Sequence, residues 1–138
     1  AKDRFRNPRA LTTFMSQDEF ELRFLSNDQF ELKSMEGNTT LYRRARPYAP
    51  TAADLQTLAG RYGSEEMDAV FRIVPAKDGL TVRLEHAPQK SLEFKPADPD
   101  TFQRGAMLVR FVRDKDGKVV ALDYSNPLLR NIRFTRLP

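Results

Sequence analysis

The chain has 138 residues, 40% of them hydrophobic, which is material for one ordinary domain, or for one domain and part of another. Its 23 basic and 19 acidic residues leave a net charge of +4 that is spread along the chain, whereas nucleic-acid binders concentrate their bases in a stripe, so no nucleic-acid partner is expected. Without cysteine there are no disulfides, thiolate zinc sites or cysteine nucleophile, and no apolar run approaches the ~20 residues that span a bilayer.

The chain opens on Ala1-Lys2-Asp3, with neither Met nor a signal-peptide pattern, and reads as a processed or excised piece of something longer. Residues 1–46 carry β pattern. Phe20, Leu22 and Phe24 alternate with Glu19, Glu21 and Arg23; Phe30 and Leu32 mark a second strand, Glu36-Gly37-Asn38 a turn, and Leu41 to Arg44 a third strand. This stretch repeats the end of the later sequence. Phe20-Glu21-Leu22-Arg23-Phe24-Leu25 parallels Met107-Leu108-Val109-Arg110-Phe111-Val112, and Tyr42-Arg43-Arg44 parallels Phe134-Thr135-Arg136. Residues 1–46 are therefore expected to be the C-terminal half of a preceding barrel-like unit. An incomplete sheet leaves an edge exposed, so it should pair with the second barrel, with another chain in a homo-oligomer, or with an N-terminal portion not in this sequence.

Pro47 and Pro50 read as a linker. Thr51 to Leu58 reads as one short helix, with Thr51 as N-cap and Asp54 at the third helical position in a variant capping box. Leu55 and Leu58 would plug one end of a downstream barrel. From Ala69 the period is two: Ala69, Phe71 and Ile73 alternate with Val70, Arg72 and Val74. Pro75 to Gly79 is a turn, with Asp78-Gly79 supplying a positive φ. Leu80, Val82 and Leu84 then share a face, His86-Ala87-Pro88-Gln89 breaks the strand, and Leu92 and Phe94 point inward. Pro96 to Asp100 is a loop. Phe102 sits in a short strand that Gly105 ends; Met107 to Val112, Val119 to Tyr124, and Ile132 to Arg136 come next, separated by Asp114-Lys115-Asp116-Gly117 and Ser125-Asn126-Pro127. About eight strands spaced roughly 8–12 residues apart, with hairpin-length connections, predict an all-β fold. The expected architecture over 47–138 is an antiparallel up-and-down barrel, lipocalin-like, with one short helix at its entry.

No catalytic constellation stands out. His86, the only histidine, sits at a strand end before Ala87-Pro88 and reads as a solvated turn residue. Glu65, Glu66 and Asp68 form an acidic cluster. Placed on a strand, consecutive carboxylates would face opposite sides, which argues against one metal or acid/base site; one of them is expected to pair with Arg61 or another nearby base. Tyr124-Ser125-Asn126 matches the Tyr-x-Asn triplet of serine β-lactamase-like enzymes, but no Ser-x-x-Lys accompanies it and Lys77-Asp78-Gly79 is a hairpin turn. The triplet reads as coincidence. Arg130-Asn131-Ile132-Arg133-Phe134-Thr135-Arg136 interleaves bases with apolar residues, the pattern of a half-buried strand with a wet outer face. No catalytic residue, metal ligand or cofactor is assigned, and ligand-binding residues stay open.

Residues 48–138 resemble the C-terminal lipocalin-like β-barrel appended to bacterial serine hydrolases of the β-lactamase/penicillin-binding-protein type, including the D-aminopeptidase group. The match runs through Pro50-Thr51-Ala52-Ala53-Asp54-Leu55, Leu58-Ala59-Gly60-Arg61-Tyr62-Gly63-Ser64-Glu65-Glu66 and Asp78-Gly79-Leu80. It continues through Asp100-Thr101-Phe102, Arg110-Phe111 to Asp116-Gly117-Lys118-Val119, and Arg133-Phe134. Leu41-Tyr42-Arg43-Arg44 resembles the last strand of the barrel that precedes it in those enzymes. The truncated first unit is the departure from the family pattern.

The resemblance implies a non-catalytic accessory domain, joined in cis to a serine hydrolase domain that holds the catalytic Ser, Lys and Tyr. Such barrels shape or gate the active site and contribute oligomer contacts. On this chain Gly60, Arg61, Tyr62, Ser64 and Glu65 carry over as a structural signature only. The implied location is periplasmic or secreted, with the cytoplasm as the alternative. The alternative function is a free-standing binder of a small apolar ligand. The bulky interior set of Phe71, Ile73, Leu80, Val82, Phe94 and their neighbours favours a packed core instead.

Overall fold

The chain divides into two units, Ala1–Ala45 and Arg46–Pro138. The computed structural model describes residues 4–7, 20–34 and 36–138.

In the first unit, β1 (Arg4–Asn7), β2 (Phe20–Phe24), β3 (Gln29–Ser34) and β4 (Thr39–Arg43) form an antiparallel sheet in that order. The sequence pattern marks three of these strands. The structure adds β1, whose four residues are too few for a period-two signal. Pairing joins Leu22 to Leu32, Phe24 to Phe30 and Phe30 to Tyr42. The pleat therefore puts these apolar residues on one face, and Glu21, Arg23, Glu31 and Lys33 on the other. Phe30 and Tyr42 stack at 4.8 Å, and Phe24 tilts against Phe30 at 5.8 Å.

In the second unit a short helix α1 (Ala52–Leu58) leads into eight strands. They are β5 (Gly60–Ser64), β6 (Ala69–Ala76), β7 (Gly79–Leu84), β8 (Ala87–Asp98), β9 (Thr101–Arg104), β10 (Met107–Arg113), β11 (Val119–Ser125) and β12 (Ile132–Arg136). Each pairs antiparallel with the next, and β12 returns to β5, so the sheet closes on itself as an up-and-down barrel. The all-β, lipocalin-like architecture expected from the two-residue period is the one observed. The closing seam is short: Thr135 pairs with Gly63 and Arg136 with Tyr62.

The interior is filled with side chains. Tyr62, Ile73, Leu80, Phe94, Phe102, Val109, Leu122 and Phe134 are all buried. Phe71 stacks on Phe134 at 4.2 Å; Tyr62 and Phe102 each meet the edge or face of Phe111, at 5.8 and 5.9 Å. Burying rings of this size supplies most of the driving force for closure, and offset or edge-to-face contacts add to it. The helix forms because its first turn is capped in both directions. The Asp54 amide donates to the Thr51 hydroxyl at 3.1 Å, and the Thr51 amide donates to the Asp54 carboxylate at 2.8 Å. Leu55 and Leu58 join the core from the helix side, as the sequence suggests.

Three local expectations are corrected. The break read at His86-Ala87-Pro88-Gln89 is shorter and earlier: only Glu85 and His86 turn, and β8 starts at Ala87. Pro96 to Asp98 is strand, not loop, leaving only Pro99 and Asp100 as a turn. Both prolines sit where the ladder is irregular. Pro88 lies between the Leu84–Ala87 and Arg83–Ser91 pairs, and Pro96 borders the register shift against β9. A missing N–H is tolerated at such bulges. Finally, Gly79 does not take a positive φ. It is needed for space instead, because a Cβ there would lie 2.1 Å from the Phe94 carbonyl oxygen.

Candidate functional site

Gly60, Arg61 and Tyr62 of the sequence signature lie together where α1 enters the barrel, while Ser64 and Glu65 lie at the far end of β5. Gly60 has φ 150°, a conformation that side chains rarely adopt, and it lets the chain turn from α1 into β5 beside the Arg136 guanidinium. Arg61 faces outward and grips Glu85 with two hydrogen bonds, Nε to Oε2 at 2.7 Å and Nη2 to Oε1 at 2.8 Å. These bonds hold the Glu85 carboxyl below its ordinary range and raise the arginine. Tyr62 points inward and is fully buried. Its hydroxyl donates to the Leu58 carbonyl at 2.8 Å, which satisfies a helix-end acceptor, and burial pushes its ionisation up.

Arg136, at the end of β12, completes this joint. Its guanidinium donates to the carbonyls of Thr57 at 3.1 Å, Ala59 at 2.7 Å and Val119 at 3.3 Å, and lies over the Tyr62 ring at 5.8 Å. A cation at a helix C-terminus also complements the helix dipole. Sequence reasoning misses this role of Arg136. Its signal is its parity with Ile132 and Phe134, which turns it toward the barrel end and not toward solvent.

The acidic cluster is placed differently from expectation. Glu65 to Asp68 form the β5–β6 turn, with Asp68 at φ 45°, so these carboxylates do not alternate across a strand. The partner of Arg61 is Glu85, 24 positions away, not a member of the cluster. No three carboxylate or histidine side chains converge on a possible metal position among the described residues.

Glu65, Glu66 and Asp68 rim a groove of about 900 Å³ that also takes in Ser64, His86 and Arg133. Gly63 and Thr135, which line it, alternate with the buried Tyr62 and Phe134, so the groove lies on the outer surface of the barrel. Ser64 is buried; His86 is exposed in its turn, as expected. No hydrogen bond joins them among the described residues, and the neighbouring Glu85 is committed to Arg61. A Ser–His hydrolytic pair needs the imidazole in contact with the hydroxyl, and this groove does not bring Ser64 and His86 into contact.

The remaining charged groups lock turns and ladders. Arg113 grips Asp100 at 2.8 and 2.9 Å and donates to Gly117. Arg133 pairs with Asp123 directly across the β11–β12 ladder, on the wet face read from sequence. Tyr124, Ser125 and Asn126 are used by their own turn. The Asn126 carboxamide accepts from the Leu128 and Leu129 amides, the Ser125 hydroxyl accepts from the Asn131 amide, and Asn126 donates to the Tyr124 hydroxyl. The triplet is a turn device.

No helix among the described residues is long and apolar enough to cross a membrane. Compared with known protein families and with curated proteins, the chain matches none.

Proposed function

We propose that this chain is a non-catalytic accessory module of a serine β-lactamase-like hydrolase, acting through its surface to shape or gate a neighbouring active site. The ordered match from Pro50 to Phe134 motivates the reading. One structural observation carries it: three of the signature residues, Gly60, Arg61 and Tyr62, are consumed in building the joint between helix and barrel. Gly60 turns the chain, Arg61 is bound to Glu85, and the Tyr62 hydroxyl is bound to Leu58. Groups so committed are not available as nucleophile or base. The reading carries with it the periplasmic or secreted location of such hydrolases.

The rival function, a carrier of a small apolar ligand, needs an empty interior. Here stacked and edge-on rings, Phe71 on Phe134 and Phe102 on Phe111, occupy it. The purified chain should give no turnover of nitrocefin, p-nitrophenyl esters or D-amino-acid anilides, and the reading frame upstream of Ala1 should encode a Ser-x-x-Lys domain. Serine-dependent hydrolysis by the chain alone, or an upstream frame without that motif, overturns the proposal.

A further inference from the structure

An arginine row crosses the outer face of β5, β6 and β7. Arg61 pairs with Arg72, and Arg72 with Arg83, while Tyr62, Phe71, Ile73 and Val82 on the alternate parity face the core. Arg72 and Arg83 are exposed. The row runs on into β8 at Ser91, which pairs with Arg83 and follows the exposed Lys90. The flanking rows carry no charge on these strands: Val74 and Thr81 lie on one side, Gly63 and Val70 on the other.

Like charges directly across a ladder repel, and here three guanidinium groups share one carboxylate. Glu85 sits at the Arg61 end, with two hydrogen bonds to Arg61 and an oxygen 3.5 Å from Arg72 Nη2. Arg83 makes no ion pair among the described residues, not even with Glu93, which lies diagonal to it across the β7–β8 ladder. Glu85 therefore displays, inside the fold, how this row seats a carboxylate beside neighbouring arginines. Between Arg72 and Arg83 the fold supplies no counterpart.

We propose that Arg72 and Arg83 bind a carboxylate of an acidic polypeptide segment laid across β6 and β7. Guanidinium forks match carboxylates bidentately, and two of them on adjacent strands, about 4.8 Å apart, can hold one carboxylate between them. Binding an anion there cancels the repulsion that the register imposes on the pair. A peptide fits better than a nucleic acid because the row is short and bounded by acid: Glu65, Glu66 and Asp68 follow in the turn that joins β5 to β6. A long phosphate backbone running along these strands meets that turn, whereas a short run of Glu or Asp confined to the row does not. The proposal is independent of the hydrolase reading, because it rests on the charge of the row alone.

The test titrates an oligoglutamate peptide into the full chain at low salt and follows the arginine side-chain N–H signals by NMR. The Arg72 and Arg83 signals are expected to shift on binding. Arg83→Gln should weaken the affinity about tenfold or more, the range for a lost hydrogen bond to a charged group. Arg130→Gln removes the same charge from the exposed β11–β12 connection and should change the affinity far less. Absence of binding to the unaltered chain overturns the proposal. Equal weakening by Arg83→Gln and Arg130→Gln overturns it too, since net charge alone then attracts the peptide. A single-stranded oligonucleotide of matching charge that binds more tightly than the peptide, and that Arg83→Gln releases, also overturns it, because the partner is then a nucleic acid.

Discussion

Arg61 and Glu85 close a bidentate pair over the top of an arginine row. Register sets Arg61 opposite Arg72, and Arg72 opposite Arg83, on the outer face of β5, β6 and β7. Like charges placed directly across a ladder repel one another. Glu85 relieves the row by bonding Arg61 and standing 3.5 Å from the Arg72 guanidinium. Glu85→Gln is expected to lower Tm by at most a few degrees, because the pair is solvent-exposed. Raising salt toward about 1 M, where the screening length is about 3 Å, should shrink the difference. A Tm difference that grows with salt contradicts the electrostatic account.

Acid should reveal the same carboxylate. The Arg61 hydrogen bonds hold the folded Glu85 below its ordinary 4.5, and the Thr51 hydrogen bonds hold Asp54 below its ordinary 3.8. A carboxyl depressed by folding contributes stability that is present above its unfolded pKa and is lost as pH falls through its folded one. Tm should therefore decline as pH drops below 4.5, with Glu85→Gln showing a shallower decline in that window. Parallel curves for the two proteins would remove Glu85 from the explanation.

Gly79→Ala tests whether space, not backbone freedom, fixes this residue. A Cβ at 2.1 Å from the Phe94 carbonyl oxygen forces β7 and β8 apart. The cost is expected at about 1–3 kcal/mol in urea denaturation, the range for overpacking a tight site. By contrast, a neutral result would mean that the ladder relaxes around the added methyl.

Phe134→Ala opens the core beside Phe71. The ring stacks on Phe71 at 4.2 Å and is 1% exposed. Its removal should cost about 3–5 kcal/mol, the range for a buried phenylalanine. A much smaller loss would show that the neighbouring rings collapse into the space.

The barrel itself is legible in the sequence because its strands alternate cleanly and its helix carries a full capping signature. Leu80, Val82, Phe94, Phe111 and Phe134 each fall on the inward parity of their own strand, and all are buried. What escapes the sequence is long-range or negative in character. Pro88 and Pro96 look like breakers until the bulges that accommodate them are known. Sequence points to the adjacent Glu65, Glu66 and Asp68 as partners of Arg61, because it shows neighbours along the chain, while the fold brings in Glu85. Asp78-Gly79 looks like a turn chosen for its φ, and only the close passage of β8 shows the other reason. β1 is hidden because a strand of four residues has no period to read.

The narrow β5–β12 seam has a consequence for how this protein is made. The segment that leaves the ribosome at the head of the barrel waits for its neighbour until nearly the whole cylinder has emerged, since β12 supplies Thr135 and Arg136 opposite Gly63 and Tyr62. Until then the nascent cylinder is an unrolled ribbon with two sticky borders, and closing so long a loop is slow. Until β12 is free to pair with β5, the ribbon cannot roll up and its two borders stay open to misassociation.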